Sequence, residues 1–188
     1  MPQSRQGSQE TSVNPAIQDL AYLNTLSQLE QEARTQRPDH IEPLEVNLSN
    51  LIADEAVFSL SEQYQHAEGF PHIVIDNFLK PDIADVLYSA FPASDASLWY
   101  EYNNPIEKKL ASNRVHSFPN PIYEFLRILN SQAFLTRLEE LSGIDKLMAD
   151  PNLHGGGMHC IKPGGKLDVH VDYALHPVLK LQRRLNFI

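Results

Sequence analysis

Five of the eight glycines in this 188-residue chain fall between Gly155 and Gly165. Pro163-Gly164-Gly165 separates two short runs of mixed apolar and polar residues, a pattern that calls for a tight reversal of extended chain. It predicts a β-hairpin with arms at 158–162 and 166–173. Strands so late in the chain need a core from what precedes them.

The preceding sequence reads mainly as helix. Asn14 suits an N-cap and Pro15 the first helical position, and Ile17, Leu20, Leu23, Leu26, Leu29 and Ala33 continue a helix over 15–37 that Pro38 ends. The Gln/Ser-rich residues 1–13 lack apolar periodicity and read as disordered, and 48–65 fits one or two short helices. At Gly69 the character changes. Ile73, Val74 and Ile75 predict a buried strand, and Pro81 opens a helix carrying Ile83, Ala84, Leu87, Tyr88 and Phe91. Residues 94–121 read as an irregular connection, and Phe125, Leu126, Leu129, Ala133, Phe134, Leu138 and Leu141 predict one helix over 122–141, stopped by Gly143.

Two units follow: an acidic N-terminal segment, 1–68, and a core over 69–188, from which residues 1 to about 65 should be removable. The chain halts in the apolar run Leu185-Asn186-Phe187-Ile188, which reads as the middle of a core strand. A longer protein is therefore expected, the alternative being a terminus at a sheet edge. An unfinished sheet would leave an exposed edge, inviting poor solubility, homo-oligomers or edge-strand pairing.

Charge narrows the partners. Of 15 basic and 24 acidic residues, 3 basic and 12 acidic fall within 1–79, so the whole net charge of −9 is N-terminal. No basic patch awaits phosphates, so nucleic acid and anionic membrane are poor partners. The acidic segment reads as a solvated helix and linker, or as a surface for a positively charged partner. No apolar run of about 18 residues and no signal-peptide core is present, so a cytoplasmic protein is expected. The single Cys160 cannot form an internal disulfide, and reads as a small buried hydrophobe.

The chemistry is expected at His170-Val171-Asp172. In a strand, His170 and Asp172 share a face with Cα atoms about 6.6 Å apart, while Val169 and Val171 point to the opposite layer. An imidazole and a carboxylate so placed form two thirds of the facial triad of non-haem Fe(II) oxygenases. They equally suit a solvated or hydrogen-bonded strand face. His40-Ile41-Glu42 and His66-Ala67-Glu68 repeat the spacing, but the first lies between prolines and the second at a helix end.

The stretch GGGMHCIKPGGKLDVHVDYALHP, with RRLNFI after it, resembles the Fe(II)- and 2-oxoglutarate-dependent oxygenases of the prolyl 4-hydroxylase-like group. FPHIVIDNFLKPDIADVLYSAFP, NPIEKKLA and LNSQAFLTRLEELSGI are similar to that family's N-terminal support region, so the likeness runs from about Gly69 to Ile188. It implies an α+β fold: support helices packed on the first half of a double-stranded β-helix, or jelly roll, incomplete at the C-terminus. It also implies a dioxygenase that hydroxylates a prolyl residue in a protein, or a small-molecule substrate, using Fe(II), 2-oxoglutarate and O2, with ascorbate as a reductant. His170 and Asp172 would be metal ligands, and Asn186 and Lys162 would border the cosubstrate, against readings as a strand-edge amide and a solvated hairpin lysine.

The family's third ligand, a later His with a basic residue beyond it, has no counterpart in these residues, so the chain alone is expected to show no turnover. His159 is expected to face away from Met158 and Cys160, packed or hydrogen-bonded. Two other functions compete: a noncatalytic binding or scaffold module on the same fold, and a cupin-like metal-dependent hydrolase or isomerase.

Overall fold

The computed structural model describes residues 51–188, together with Gln28, which is helical. Apart from Gln28, the expected disordered start, the helix at 15–37 and His40-Ile41-Glu42 lie outside the described residues. Over residues 51–188 the fold is α+β, with four α-helices and one four-stranded antiparallel sheet. The helices are α1 (Val57–Gln65), α2 (Pro81–Ala90), α3 (Asn120–Leu129) and α4 (Gln132–Ser142). The strands are β1 (Tyr100–Asn103), β2 (Glu107–Ser112), β3 (Met158–Cys160) and β4 (Lys166–Leu167). Among the described residues the named strands form a single sheet.

The helical core crosses the expected boundary at Gly69. Leu51, Ile52 and Val57 are buried with Phe134 and Leu141, and Ile73, Ile75 and Phe78 pack on the same cluster. Residues before 65 thus share this core: α1 packs on α4, over Phe134, which is 1% accessible. The expected strand at 73–75 is corrected. Its alternation is present, with Val74 outward at 80% exposure, yet no ladder pairs it.

The helix expected over 122–141 is two. Asn130 ends α3 with its side-chain amide on the Leu126 carbonyl (2.9 Å), and Ser131 starts α4 by accepting the Phe134 N–H at 3.3 Å. Gly143 terminates α4 at φ 70°, as its position in the sequence predicts. Pro81 likewise occupies the first turn of α2.

The connection at 94–121 contains the antiparallel hairpin β1–β2, another correction to the sequence reading. Its turn is built by one side chain: Asn104 Oδ1 accepts the N–H groups of Ile106 (2.9 Å) and Glu107 (3.0 Å). β2 is the hub, with β1 on one edge and both β3 and β4 on the other. Leu110 pairs with Cys160, and Lys108 pairs with Lys166. The glycine-rich segment is therefore not a hairpin. β3 and β4 follow one another along the same edge of β2, and Lys162 to Gly165 is a turn, closed by the Gly165 N–H on the Lys162 carbonyl (2.8 Å), that bulges out between them. Met158 points inward against Phe118 and Ile122, joining the sheet to α3.

Candidate functional site

β4 delivers the chain to the candidate site. The Asp168 N–H still reaches the Ile106 carbonyl at 2.9 Å, but the Asn104–Pro105 turn begins there and β2 offers no further backbone partner. Residues 169–172 consequently leave the sheet. Val169 and Val171 are fully exposed, which corrects the expectation that they face an opposite layer.

His170 and Asp172 nevertheless converge, with Nε2 of the imidazole 3.6 Å from Oδ1 of the carboxylate. The ring's other nitrogen, Nδ1, lies 2.8 Å from the Asp168 carbonyl oxygen. A carbonyl only accepts, so Nδ1 carries a proton, and in the neutral ring the lone pair of Nε2 faces Asp172. Two lone-pair atoms thus face each other beyond hydrogen-bond range. Ligand atoms about 2.1 Å from one cation stand about 3.0 Å apart at a right angle and about 3.4 Å at the tetrahedral angle. The pair fits a small cation with a shift of a few tenths of an ångström.

The second oxygen of Asp172 is engaged. Asn186 Nδ2 donates to Oδ2 at 3.2 Å, and Arg183 Nη1 lies 3.4 Å from it. Arg183 Nη2 also donates to Asn186 Oδ1 at 2.6 Å. These residues return to Asp172 through a hairpin that spacing alone did not indicate: Leu175 bridges Gln182, and the Arg183 N–H meets the Ala174 carbonyl at 2.8 Å. Arg183 also lies over the Tyr173 ring, 5.7 Å from its centroid, and burial pushes that phenol's pKa up against the pull of the nearby guanidinium. Gly155, at φ +72°, leaves room for both, since a Cβ there would sit 2.7 Å from the Tyr173 hydroxyl and 3.3 Å from Arg183 Nη1.

A second group lies at the head of that hairpin. Asp150, His154 and His176 bring ligand atoms within 4.8 Å of one another and could hold a metal ion. Neither His154 nor His176 stood out by spacing, because the cluster assembles from two turns distant in sequence. Asp150 caps its own turn, with Oδ1 accepting the Asn152 N–H (2.9 Å) and Oδ2 that of His154. His176 Nδ1 takes N–H groups from Val178 (3.1 Å) and Leu179 (2.9 Å). Amides only donate, so the ring proton sits on Nε2, which lies 3.2 Å from Asp150 Oδ1 without making a hydrogen bond to it; His154 Nδ1 is likewise buried without a hydrogen-bond partner. A cation at Nε2 would have to displace that proton and both amide bonds.

The remaining candidates stand apart. Lys162 is exposed at the start of the bulge, and His66 approaches Glu62 one helical turn back (3.8 Å). His159 faces away from Met158, as alternation predicts, and burial with the Lys109 ammonium nearby holds its pKa below the ordinary 6.5. Beside His170 opens a cavity of about 490 Å³ lined by Asn104, Pro105, Ile106, Glu107 and Leu167. Its one carboxylate, Glu107, is held below its usual pKa chiefly by a hydrogen bond from Lys109. Among the described residues, no helix is long and apolar enough to cross a membrane. No protein-family model, curated protein or solved structure matches the chain.

Proposed function

We propose that this protein is an Fe(II)- and 2-oxoglutarate-dependent dioxygenase in which His170 and Asp172 are metal ligands. The observation that carries the reading is the geometry of the pair: His170 gives its Nδ1 proton to the Asp168 carbonyl, so in the neutral ring Nε2 and Asp172 Oδ1 face one gap with free lone pairs. Fe(II), when bound, would activate O2, so that one oxygen atom enters a C–H bond of the substrate and the other enters succinate as 2-oxoglutarate loses CO2.

The chain's own residues orient and shape. The Asp168 carbonyl fixes the imidazole, and Pro105, Ile106 and Leu167 wall a cavity beside it that is wide enough for a prolyl ring or a similar small apolar group. The jelly-roll architecture, the prolyl or small-molecule substrate, ascorbate as reductant and a cosubstrate contact by Lys162 belong to this same reading, all from the resemblance of 155–188 to the prolyl 4-hydroxylase-like group.

The test is metal binding, with Mn(II) as a stand-in that shares the N/O preference of Fe(II) but resists oxidation by air. Isothermal titration should find one Mn(II) site in the full chain, lost in His170→Ala and in Asp172→Ala and retained in His154→Ala. Binding that survives His170→Ala, or that disappears in His154→Ala, overturns the assignment in favour of the Asp150 group.

A further inference from the structure

We infer that Asn186 is a positioning residue for the metal-ligand carboxylate rather than a contact for the cosubstrate, and that Arg183 sets which way its amide faces. The inference rests on the reading of His170 and Asp172 as ligands. An Asn side chain has one donor end and one acceptor end, and it presents the donor only if something holds the acceptor. Here Arg183 Nη2 holds it: the guanidinium donates to Asn186 Oδ1 at 2.6 Å, which turns Nδ2 toward Asp172 Oδ2 at 3.2 Å. Arg183 Nη1 also stands 3.4 Å from that same carboxylate oxygen, an ion-pair contact without a hydrogen bond, so Oδ2 accepts from Asn186 beside a positive charge while Oδ1 faces His170.

The consequence is a carboxylate divided by role. Oδ2 is tied to the 183–186 segment, rotation about the terminal torsion is stopped, and Oδ1 remains available to one cation. Arg183 is in turn fixed from behind, lying over Tyr173 in the space that Gly155 leaves open. The relay therefore runs from the glycine-rich turn through Tyr173 and Arg183 to Asn186 and the ligand, and gives the glycine at 155 a part in the site.

The experiment is Mn(II) titration of the full chain without 2-oxoglutarate, which isolates metal binding from any cosubstrate contact. Asn186→Leu keeps the branched shape and removes the donor, and should weaken Mn(II) binding about tenfold or more, the usual scale for a partner behind a metal ligand. Asn186→Thr restores one donor and suits extended backbone, and should recover part of the loss. An Asn186→Leu variant that binds Mn(II) like the wild type, and loses only 2-oxoglutarate affinity, overturns the inference and returns Asn186 to the cosubstrate.

A second measurement needs no metal. In the metal-free chain, the Asn186 side-chain amide protons should be resolved and slowly exchanging by NMR, and should shift and exchange faster in Arg183→Lys and in Asp172→Ala. An amide indifferent to both changes refutes the relay even where Mn(II) binds. A responsive amide in a chain that takes up no Mn(II) upholds the relay and brings down the oxygenase reading instead.

Discussion

The two histidine–carboxylate groups lie within one stretch of chain and differ in where the imidazole keeps its proton. His170 gives Nδ1–H to a carbonyl and presents an open Nε2 to Asp172, whereas His176 receives two amides at Nδ1 and keeps its proton on Nε2, near Asp150. Counting ligand types favours the second group, which has three residues against two. Following the protons separates them differently: in the neutral ring the first pair is two acceptors facing one gap, whereas the second is a pin in which two amides hold His176 Nδ1 while His176 Nε2 and His154 Nδ1 stay buried without a hydrogen-bond partner. The pin serves the gap, because His176 ties down the turn of the hairpin that returns Arg183 and Asn186 to Asp172.

The largest effect that can break this comparison is on turnover. In a form of the protein that converts 2-oxoglutarate, His170→Ala and Asp172→Ala should each abolish succinate release, followed by mass spectrometry, while His154→Ala should leave it near the wild-type level. Equal losses in the His154 and His170 variants would merge the two groups into one site.

Gly155→Ala comes next. A side chain at φ +72° is strained, and its Cβ would press on the Tyr173 hydroxyl, so denaturant unfolding should register a loss of about 1–3 kcal/mol. Stability equal to wild type would mean that Tyr173 and Arg183 are not held as described.

His176→Ala should cost about 1–2 kcal/mol, since two amides lose their acceptor, one of them partly exposed to water. His170→Ala, on an exposed segment away from the core, should stay within about 0.5 kcal/mol in the same assay. Similar costs at the two positions would erase the distinction between pin and open ligand.

The smallest effect concerns His159, whose side chain belongs to neither group. Its pKa in the folded protein is below the ordinary 6.5, so the unfolded chain binds more protons in the window just under that value. The contribution is therefore present above pH 6.5 and is lost as pH falls through the folded pKa. Unfolding curves across that window should show a shallower decline in His159→Gln than in wild type, and a steeper one would give the shift the opposite sign.

Local signals were legible wherever one residue decides its own surroundings. Pro81 begins a helix because its ring fits the first turn, Gly143 ends one because it tolerates the left-handed region, and Met158 and His159 face opposite ways because a strand alternates. The pair at His170 and Asp172 was legible as residue types at a spacing, although the strand assumed for it is absent. Alternation also marked 73–75, but a strand needs a partner as well as a pattern, and none pairs with it. Asn104 and Ser131 decide the β1–β2 turn and the break between α3 and α4 through short polar side chains that bind nearby backbone, a signal that apolar periodicity does not carry.

Sequence by itself determined the α+β class, the start of α2, the end of α4 and the two residues that mark the candidate site. Tertiary structure decided what those residues can do. The proton on His170 depends on a carbonyl at Asp168, the free oxygen of Asp172 depends on a hairpin closed at Leu175 and Gln182, and the pin depends on Asp150 meeting His176 across 26 residues of chain. Hydrogen-bond direction is a property of pairs, and those pairs exist only once packing has brought distant backbone and side chains together.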